Sequence, residues 1–124
     1  MRKAALVLVL FIAAIGLVSL LVALAVQEAR PPGNASLGER TYYRFCMDCH
    51  GRDGRGSWRA TLLLVRPGDL SDAKRMQAHT DQYLFDLVKH GGSPFGKPGM
   101  PGFGFNLDDA QIQAVVAYVR TLSR

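Results

Sequence analysis

Cys46-Met47-Asp48-Cys49-His50 is the stretch on which the interpretation of this 124-residue chain depends. Two thiols three positions apart on one helical turn can each add to a vinyl group of a haem and form a thioether. The residue that follows them, His50, then lies close to the iron and can be its proximal ligand. The spacing therefore predicts a covalent attachment site for haem c, with Cys46 and Cys49 as the attachment residues.

The same pair of cysteines has two other interpretations. A C-x-x-C pair also occurs in redox dithiols and as half of a zinc site. A dithiol would be expected in a βαβ context, and zinc would require a second pair of ligands at a similar spacing. The chain has only two cysteines, and neither His79 nor His90 belongs to a closely spaced histidine pair. Haem is therefore the favoured interpretation.

The N-terminal run from Ala4 to Val26 contains no charge, amide or proline. A helix of that length, at about 1.5 Å per residue, crosses a hydrocarbon core of about 30 Å. Arg2 and Lys3 precede the run, and positive residues remain on the cytoplasmic side. We therefore expect residues 1–26 to be a single-pass anchor in the cytoplasmic membrane, with the N-terminus in the cytoplasm and the rest of the chain on the periplasmic or extracellular side.

A cleaved signal peptide is the alternative for this run. Ala23-Leu24-Ala25 resembles an A-x-A cleavage site, and a positive N-terminus suits a signal peptide as well as an anchor. The apolar core of a signal peptide is only about 7–15 residues long, and this run is longer, which favours a retained anchor. Both interpretations send the rest of the chain across the membrane, where haem c is attached.

The segment after the apolar run marks the start of a soluble domain. Residues 27–35 are polar and contain Pro31-Pro32-Gly33, which interrupts a helix. We expect a short linker there, followed by one folded domain at residues 36–124. Removing Arg2 and Lys3 reduces the net charge from +5 to +3, a mild bias that a solvated basic surface explains. No nucleic-acid partner is expected.

Capping signals predict three helices in this domain. Each signal is a short polar side chain at the N-cap, in two cases with Glu or Gln three residues later. The caps are Ser36, Thr80 and Asp108. The first helix leads into the haem motif, the second ends at Gly91, and the last carries an apolar stripe along one face.

The loop from Gly91 to Asn106 is the second informative stretch, since six of its sixteen residues are glycine and three are proline. A loop of that length in a small domain is more often functional than incidental. It contains Met100, and a methionine thioether is a good axial ligand for haem iron opposite a histidine. We expect Met100 to be the distal ligand, with Met76 as the second candidate. Met47, inside the thioether bridge, cannot reach the open face of the iron.

Two further signals follow the haem motif. The stretch from Pro67 to Leu70 predicts a turn, and the carbonyl of Pro67 is a candidate acceptor for the second ring nitrogen of the ligating histidine. The unusually apolar run Leu62-Leu63-Leu64-Val65 is either a partner surface or part of the haem pocket.

From Ser36 to its C-terminus the chain resembles the class I mono-haem c-type cytochromes, in a membrane-anchored form. The resemblance includes the haem motif, a glycine and an aromatic residue before it, a proline and a leucine after it, the methionine loop and two positions of the last helix. These residues are Cys46, Cys49, His50, Gly38, Tyr42, Pro67, Leu70, Met100, Pro101, Val115 and Tyr118. The resemblance implies an all-α fold in which the first and last helices cross near a right angle at Gly38, with the haem in the centre.

The function implied is one-electron transfer by a covalent haem c with His50 and Met100 as axial ligands. Both axial positions are then filled, so the iron has no open site for a substrate, and the protein is expected to be an electron-transfer protein and not an enzyme. It would act as a carrier or as a subunit of a respiratory or photosynthetic complex. The expected partners are the membrane and redox proteins with an acidic docking surface, which Lys89, Lys97 and Arg55 would meet by electrostatic steering.

A different class of function follows if Met100 does not bind iron. The site would then be five-coordinate and could bind a small gas or reduce peroxide, which would make the protein a sensor or an enzyme. A thiol oxidoreductase with free Cys46 and Cys49 is the weakest of the three hypotheses.

Overall fold

The computed structural model describes residues 2–25 and 30–123, and all the regular secondary structure within these ranges is helical. The α-helices are α1 (Arg2–Ala25), α2 (Leu37–Phe45), α3 (Met47–His50), α4 (Trp58–Leu62), α5 (Ala73–Gln77), α6 (Asp81–His90) and α7 (Asp109–Leu122), and Ser93–Phe95 forms a 3₁₀ turn. The prediction of an all-α fold is confirmed for this part of the chain.

Helix α1 contains the apolar N-terminal run. Its side chains from Lys3 to Leu24 are exposed, and this stretch is long and apolar enough to cross a membrane. The helix ends at Ala25, and Val26, the last residue of the predicted anchor, lies outside the described residues. Length and composition therefore agree with a membrane-spanning segment.

The folded domain is organised by the contact between α2 and α7. Gly38 on α2 is buried, and a Cβ atom at this position would lie 2.0 Å from the carbonyl oxygen of Ala114 and 3.1 Å from Cβ of Tyr118. The two helix backbones therefore touch at a point where only glycine fits. One turn further along α2, Tyr42 is fully buried, and its ring centre lies 5.3 Å from that of Tyr118. The expected contact at Gly38 is present.

The core continues from this contact toward α6. Ile112 and Val115 of α7 are, with Tyr42, the largest fully buried side chains of the described residues. A second cluster joins α5, α6 and α7 through the buried side chains of Met76 and Leu84 and their neighbour Val116. Helix α7 therefore packs against α2 with one side of its apolar stripe and against α5 and α6 with the other.

The three expected N-caps are confirmed. The side chains of Ser36, Thr80 and Asp108 each accept a hydrogen bond from the backbone N–H three residues later, at distances of 3.1, 3.1 and 2.8 Å. Helices α4 and α5 were not expected from the sequence. Each has only five residues, too few to show an apolar period, although each begins at a polar N-cap, Ser57 or Asp72.

The end of the predicted linker packs onto the domain. Residues 30–36 are not helical, and a turn from Pro32 to Ala35 is closed by a backbone hydrogen bond of 3.0 Å. Ala35 is buried, and its carbonyl accepts a hydrogen bond from the guanidinium of Arg40. The division into residues 1–26, 27–35 and 36–124 stays a prediction.

We expect Gly38→Ala to destabilise the domain by about 3 kcal/mol or more, because the new methyl group would overlap the backbone of α7. The measurement is chemical or thermal unfolding of the haem-loaded protein. Gly33→Ala is the matched control, since a Cβ there would meet nothing within 4 Å, and its effect should stay within about 0.5 kcal/mol. Equal stability of the two variants would contradict the close helix contact.

Candidate functional site

The residues of the haem motif lie on one turn at the end of α2. The N–H of Cys46 donates to the carbonyl of Tyr42 at 2.8 Å, and the carbonyl of Cys46 accepts from the N–H groups of Cys49 at 3.2 Å and His50 at 2.9 Å. Both thiols are free and half-buried. Two thiols and an imidazole on one turn match what covalent attachment of one macrocycle requires.

The chain after the motif folds back and holds α3 in place. The carbonyl of His50 accepts a hydrogen bond from the N–H of Gly56 at 2.8 Å, and the carbonyl of Cys49 accepts from the N–H of Ser57 at 3.0 Å. The hydroxyl of Tyr42 donates to the carbonyl of Gly51 at 2.7 Å. Burial raises the pKa of Tyr42, so this hydroxyl remains a protonated donor.

His50 is oriented by a backbone carbonyl. Its Nδ1 lies 3.3 Å from the carbonyl oxygen of Gly68, so a hydrogen bond from Nδ1–H leaves Nε2 unprotonated and able to bind a metal. The sequence suggested the carbonyl of Pro67, and the structure places the acceptor one residue later in the same turn. Burial lowers the pKa of His50, which the bond to Gly68 partly offsets. The imidazole is therefore held neutral, as a metal ligand must be.

The other interpretations of the cysteine pair gain no support from the described residues. Burial and the neighbouring Cys49 raise the pKa of Cys46 to about 12, which makes its thiol a poor source of the reactive thiolate. Residues 2–25 and 30–123 contain no group of three or more His, Cys, Asp or Glu side chains that could hold a metal ion. His79 stacks on Tyr83 with ring centres 4.3 Å apart, and His90 is exposed at the end of α6.

The loop that contains Met100 is attached to the C-terminal end of α6. The N–H groups of Phe103 and Gly104 donate to carbonyls in the last turn of α6, at 2.9 and 3.0 Å. Gly91, with φ of +81°, ends the helix, and a Cβ there would lie 2.7 Å from the backbone nitrogen of Gly102. The carbonyl of Met100 accepts from the N–H of Gly92 at 2.8 Å. The backbone of Met100 is thus held on both sides by hydrogen bonds and close contacts.

The two candidate methionine ligands differ in their surroundings. Met76 is only 2% exposed and packs in the core beside Leu84 and Val116. Met100 is half-buried on the loop, and the backbone around it is fixed as described above. The soft thioether of Met100, on a fixed loop, is available as a ligand to a metal, whereas the side chain of Met76 already fills the core.

The apolar run after α4 contains residues of two kinds. Val65 is half-buried, and a Cβ on Gly99, next to Met100, would lie 3.4 Å from its Cγ1. The three leucines before it, Leu62, Leu63 and Leu64, are 72%, 70% and 92% exposed. Val65 therefore borders the methionine loop, and the leucines face away from the core.

The three basic residues that were expected to meet a partner all have contacts within the domain. The ammonium of Lys89 lies 2.7 Å from a carboxylate oxygen of Asp109, and that of Lys97 donates to the hydroxyl of Tyr83 at 3.0 Å. Arg55 has an ion pair of 3.8 Å with Asp53 and donates to Ser71. Lys97 and Arg55 remain exposed, and Lys89 is half-buried.

The donor set fits a covalently bound haem. Cys46 and Cys49 supply two thiols on one turn, His50 supplies an imidazole with a defined tautomer, and Val65 supplies apolar surface beside the methionine loop. The role of the carbonyl of Gly68 could not be read from the sequence, since a proline turn indicates that a carbonyl is near but not which one.

The comparisons with known proteins agree with this site. Residues 33–119 match the model of the family described as cytochrome c oxidase, cbb3-type, subunit III. Over 84 residues the chain is 37% identical to the dihydro-heme d1 dehydrogenase of Pseudomonas aeruginosa, a match that covers 66% of this chain and 14% of that protein. The solved structure of the KustC0563 c-type cytochrome superposes with a TM-score of 0.60 at 24% identity, covering 70% of this chain and 98% of the other, and shows the fold.

The matched residues run from the end of the linker almost to the end of α7 and include the haem motif and Met100. The predictions of an all-α c-type cytochrome fold and of covalently bound haem c are thereby confirmed. The chain belongs to the family described as cytochrome c oxidase, cbb3-type, subunit III, and its haem domain is a c-type cytochrome domain that takes part in electron transfer.

Proposed function

We propose that this protein is a membrane-tethered one-electron carrier, either mobile or fixed in a respiratory or photosynthetic complex, and that it has no catalytic reaction of its own. Cys46 and Cys49 form the thioethers, and His50 and Met100 are the axial ligands. The observation that carries the proposal is the contrast between the two free methionines, with Met100 on a fixed loop and Met76 in the core. Haem c, when bound, supplies an iron that gains and loses one electron.

The residues of the chain act mainly by holding ligands still. The carbonyl of Gly68 fixes the ring of His50, and the backbone bonds of Gly92 and Lys97 fix Met100. With His50 and Met100 as its two axial ligands, a bound haem iron would have no position for a substrate and would need little movement when its charge changes. Met/His ligation also raises the reduction potential relative to a second histidine.

Helix α1 supports the proposed tether. It is exposed along Lys3–Leu24 and suited by length to span a membrane, and Arg2 and Lys3 at its start favour a cytoplasmic N-terminus. The haem domain, residues 36–124, would then lie on the outer face of the membrane, in the periplasm or on the extracellular side. Residues 26–36 connect the two parts and span at most about 40 Å, which keeps the domain near the bilayer.

The proposed partners are redox proteins with an acidic docking surface. Lys97 and Arg55 are exposed, and their contacts with Tyr83 and with Asp53 are surface contacts of low energy, so both cations can turn to a partner. The relative from Pseudomonas aeruginosa carries the name of a dehydrogenase, and the matched segment is 14% of its length. This chain would correspond to an electron-transfer domain of such a protein.

Met100→Leu should lower the reduction potential of the haem and open the sixth coordination position to carbon monoxide. Leucine keeps the volume of the side chain and removes the sulfur, so the domain should stay folded. The measurements are a redox titration and an optical titration of the reduced protein with carbon monoxide. A five-coordinate gas-binding or peroxide-reducing protein would bind carbon monoxide equally well without the substitution.

Met76→Leu is the matched control for this experiment. It removes the other free thioether, but at a core position that leucine can fill, and it should leave both the potential and the response to carbon monoxide unchanged. The reverse result, with an effect from Met76→Leu and none from Met100→Leu, would transfer the ligand role to Met76.

Replacing both Cys46 and Cys49 by serine should allow the haem to be extracted by acidified acetone. The unchanged protein should retain its haem, because two thioether bonds survive that treatment. Haem that is extracted from the unchanged protein would contradict covalent attachment at these residues.

The tether predicts a mature protein that retains its N-terminus. Intact-mass measurement should find a chain that begins at Met1 or Arg2, and the protein should leave the membrane only with detergent. A mature chain that begins at Val26 and dissolves in buffer would show that the apolar run is a cleaved signal peptide.

A further inference from the structure

Four large apolar side chains after the haem motif are exposed in the part of the chain that the structure describes. These are Trp58, Leu62, Leu63 and Leu64, and we call them the leucine turn. They are 57%, 72%, 70% and 92% exposed, and among the described residues outside α1 only Leu37 and Phe105 are other exposed large apolar side chains. A contiguous exposed apolar patch of this kind usually marks a surface that contacts a partner or a membrane.

The leucine turn is a fixed structure. Helix α4 ends in a Schellman motif, in which the N–H of Val65 donates to the carbonyl of Ala60 at 2.9 Å and the N–H of Leu64 donates to the carbonyl of Thr61 at 3.1 Å. Ala60 is 1% exposed, so α4 packs against the domain at this residue. The leucines are therefore displayed by a hydrogen-bonded turn.

Leu64 occupies a position that favours glycine. It has φ of +55° and is the only non-glycine residue of the described chain with positive φ. Glycine is the usual residue at this position of a Schellman motif, because a Cβ in the left-handed region is strained. The side chain of Leu64 is 92% exposed and gains no core contact that would offset this strain. Strain of this kind, with no compensation in the fold, points to a role outside it.

The charges around the leucine turn suit an anionic surface. Residues 52–66 contain four arginines and a single acidic residue, Asp53. Arg55 is paired with Asp53 and Arg59 with Asp48, and Arg52 and Arg66 are exposed. A tryptophan, a row of leucines and flanking arginines are the composition of segments that lie at the boundary between lipid head groups and acyl chains. Arginines near an anionic bilayer add electrostatic attraction to the burial of the leucines.

We propose that the leucine turn inserts into the outer surface of the same bilayer that α1 spans. This inference rests on the proposed tether, because residues 26–36 limit the distance between the haem domain and the end of α1 to about 40 Å. A bilayer is then always within reach of the turn, whereas a soluble partner would have to be captured for each encounter. A second contact with the membrane restricts the rotation of the domain and gives its redox surface a defined orientation.

The test is photocrosslinking of the full-length haem-loaded protein in vesicles of phosphatidylglycerol and phosphatidylcholine. A trace phospholipid carries a diazirine near the start of one acyl chain, and lipid adducts are mapped by mass spectrometry after trypsin digestion. We expect adducts on Leu62–Leu64, within the peptide 60–74, and none on the peptide 76–89, which carries α6. Trypsin separates these peptides at Lys74 and Arg75.

The control variant combines Leu62→Ser, Leu63→Ser and Leu64→Asn. All three side chains are exposed, and asparagine tolerates positive φ, so the haem spectrum and unfolding should not deteriorate. The adducts in the peptide 60–74 should be lost in this variant, while the adducts in α1 remain. Adducts in α1 but none on the leucine turn of the unchanged protein would overturn the inference and leave the tether intact.

The other outcomes are equally distinct. Adducts on the leucine turn without adducts in α1 would support the surface and contradict the tether, and the absence of both would contradict the two proposals together. A dimer of the detergent-solubilised protein that is seen by sedimentation and lost in the leucine variant, together with no lipid adducts at Leu62–Leu64, would show that the turn is an interface with a second copy and not with lipid.

Discussion

The close contact of Gly38 with the backbone at Ala114 is the constraint on which the rest of the domain depends. It fixes the position of α2 on α7, and because the haem motif follows α2 without a break, it also fixes where the two thiols lie. Tyr42 then connects this contact to the motif, since its ring is buried against Tyr118 and its hydroxyl holds the carbonyl of Gly51. A side chain at Gly38 would therefore disturb the attachment site through the helix that carries it.

The methionine side of the site depends on a different helix. The carbonyls at the end of α6 have no partner within the helix and accept hydrogen bonds from the N–H groups of Phe103 and Gly104. These bonds position the loop that contains Met100. Helix α6 in turn packs on α7 through Leu84 and Val116. The histidine side of the site is positioned on α7 through α2, and the methionine side through α6. A single helix therefore sets the distance between the two sides.

The sequence was sufficient for the parts that obey local rules. The N-caps Ser36, Thr80 and Asp108 lie where expected because a side chain that caps a helix acts within three residues. Helices α4 and α5 escaped prediction because five residues show no period, and the acceptor for His50 was placed one residue early because a turn can present either of two carbonyls. The ligand roles of Cys46, Cys49, His50 and Met100 remain predictions of the motif and of the family.

Among the residues that the structure describes, Leu64 is the only non-glycine residue with positive φ. Gly91, with positive φ, and Gly38, at a close helix approach, carry the one residue that fits without strain. Leu64 shares its positive φ with Gly91 but has a large apolar side chain, which is exposed to solvent. Natural sequences break such local rules mainly where a function compensates for the loss. Since neither the core nor the methionine loop gains a contact from Leu64, the contact with the bilayer that we propose would supply the compensation.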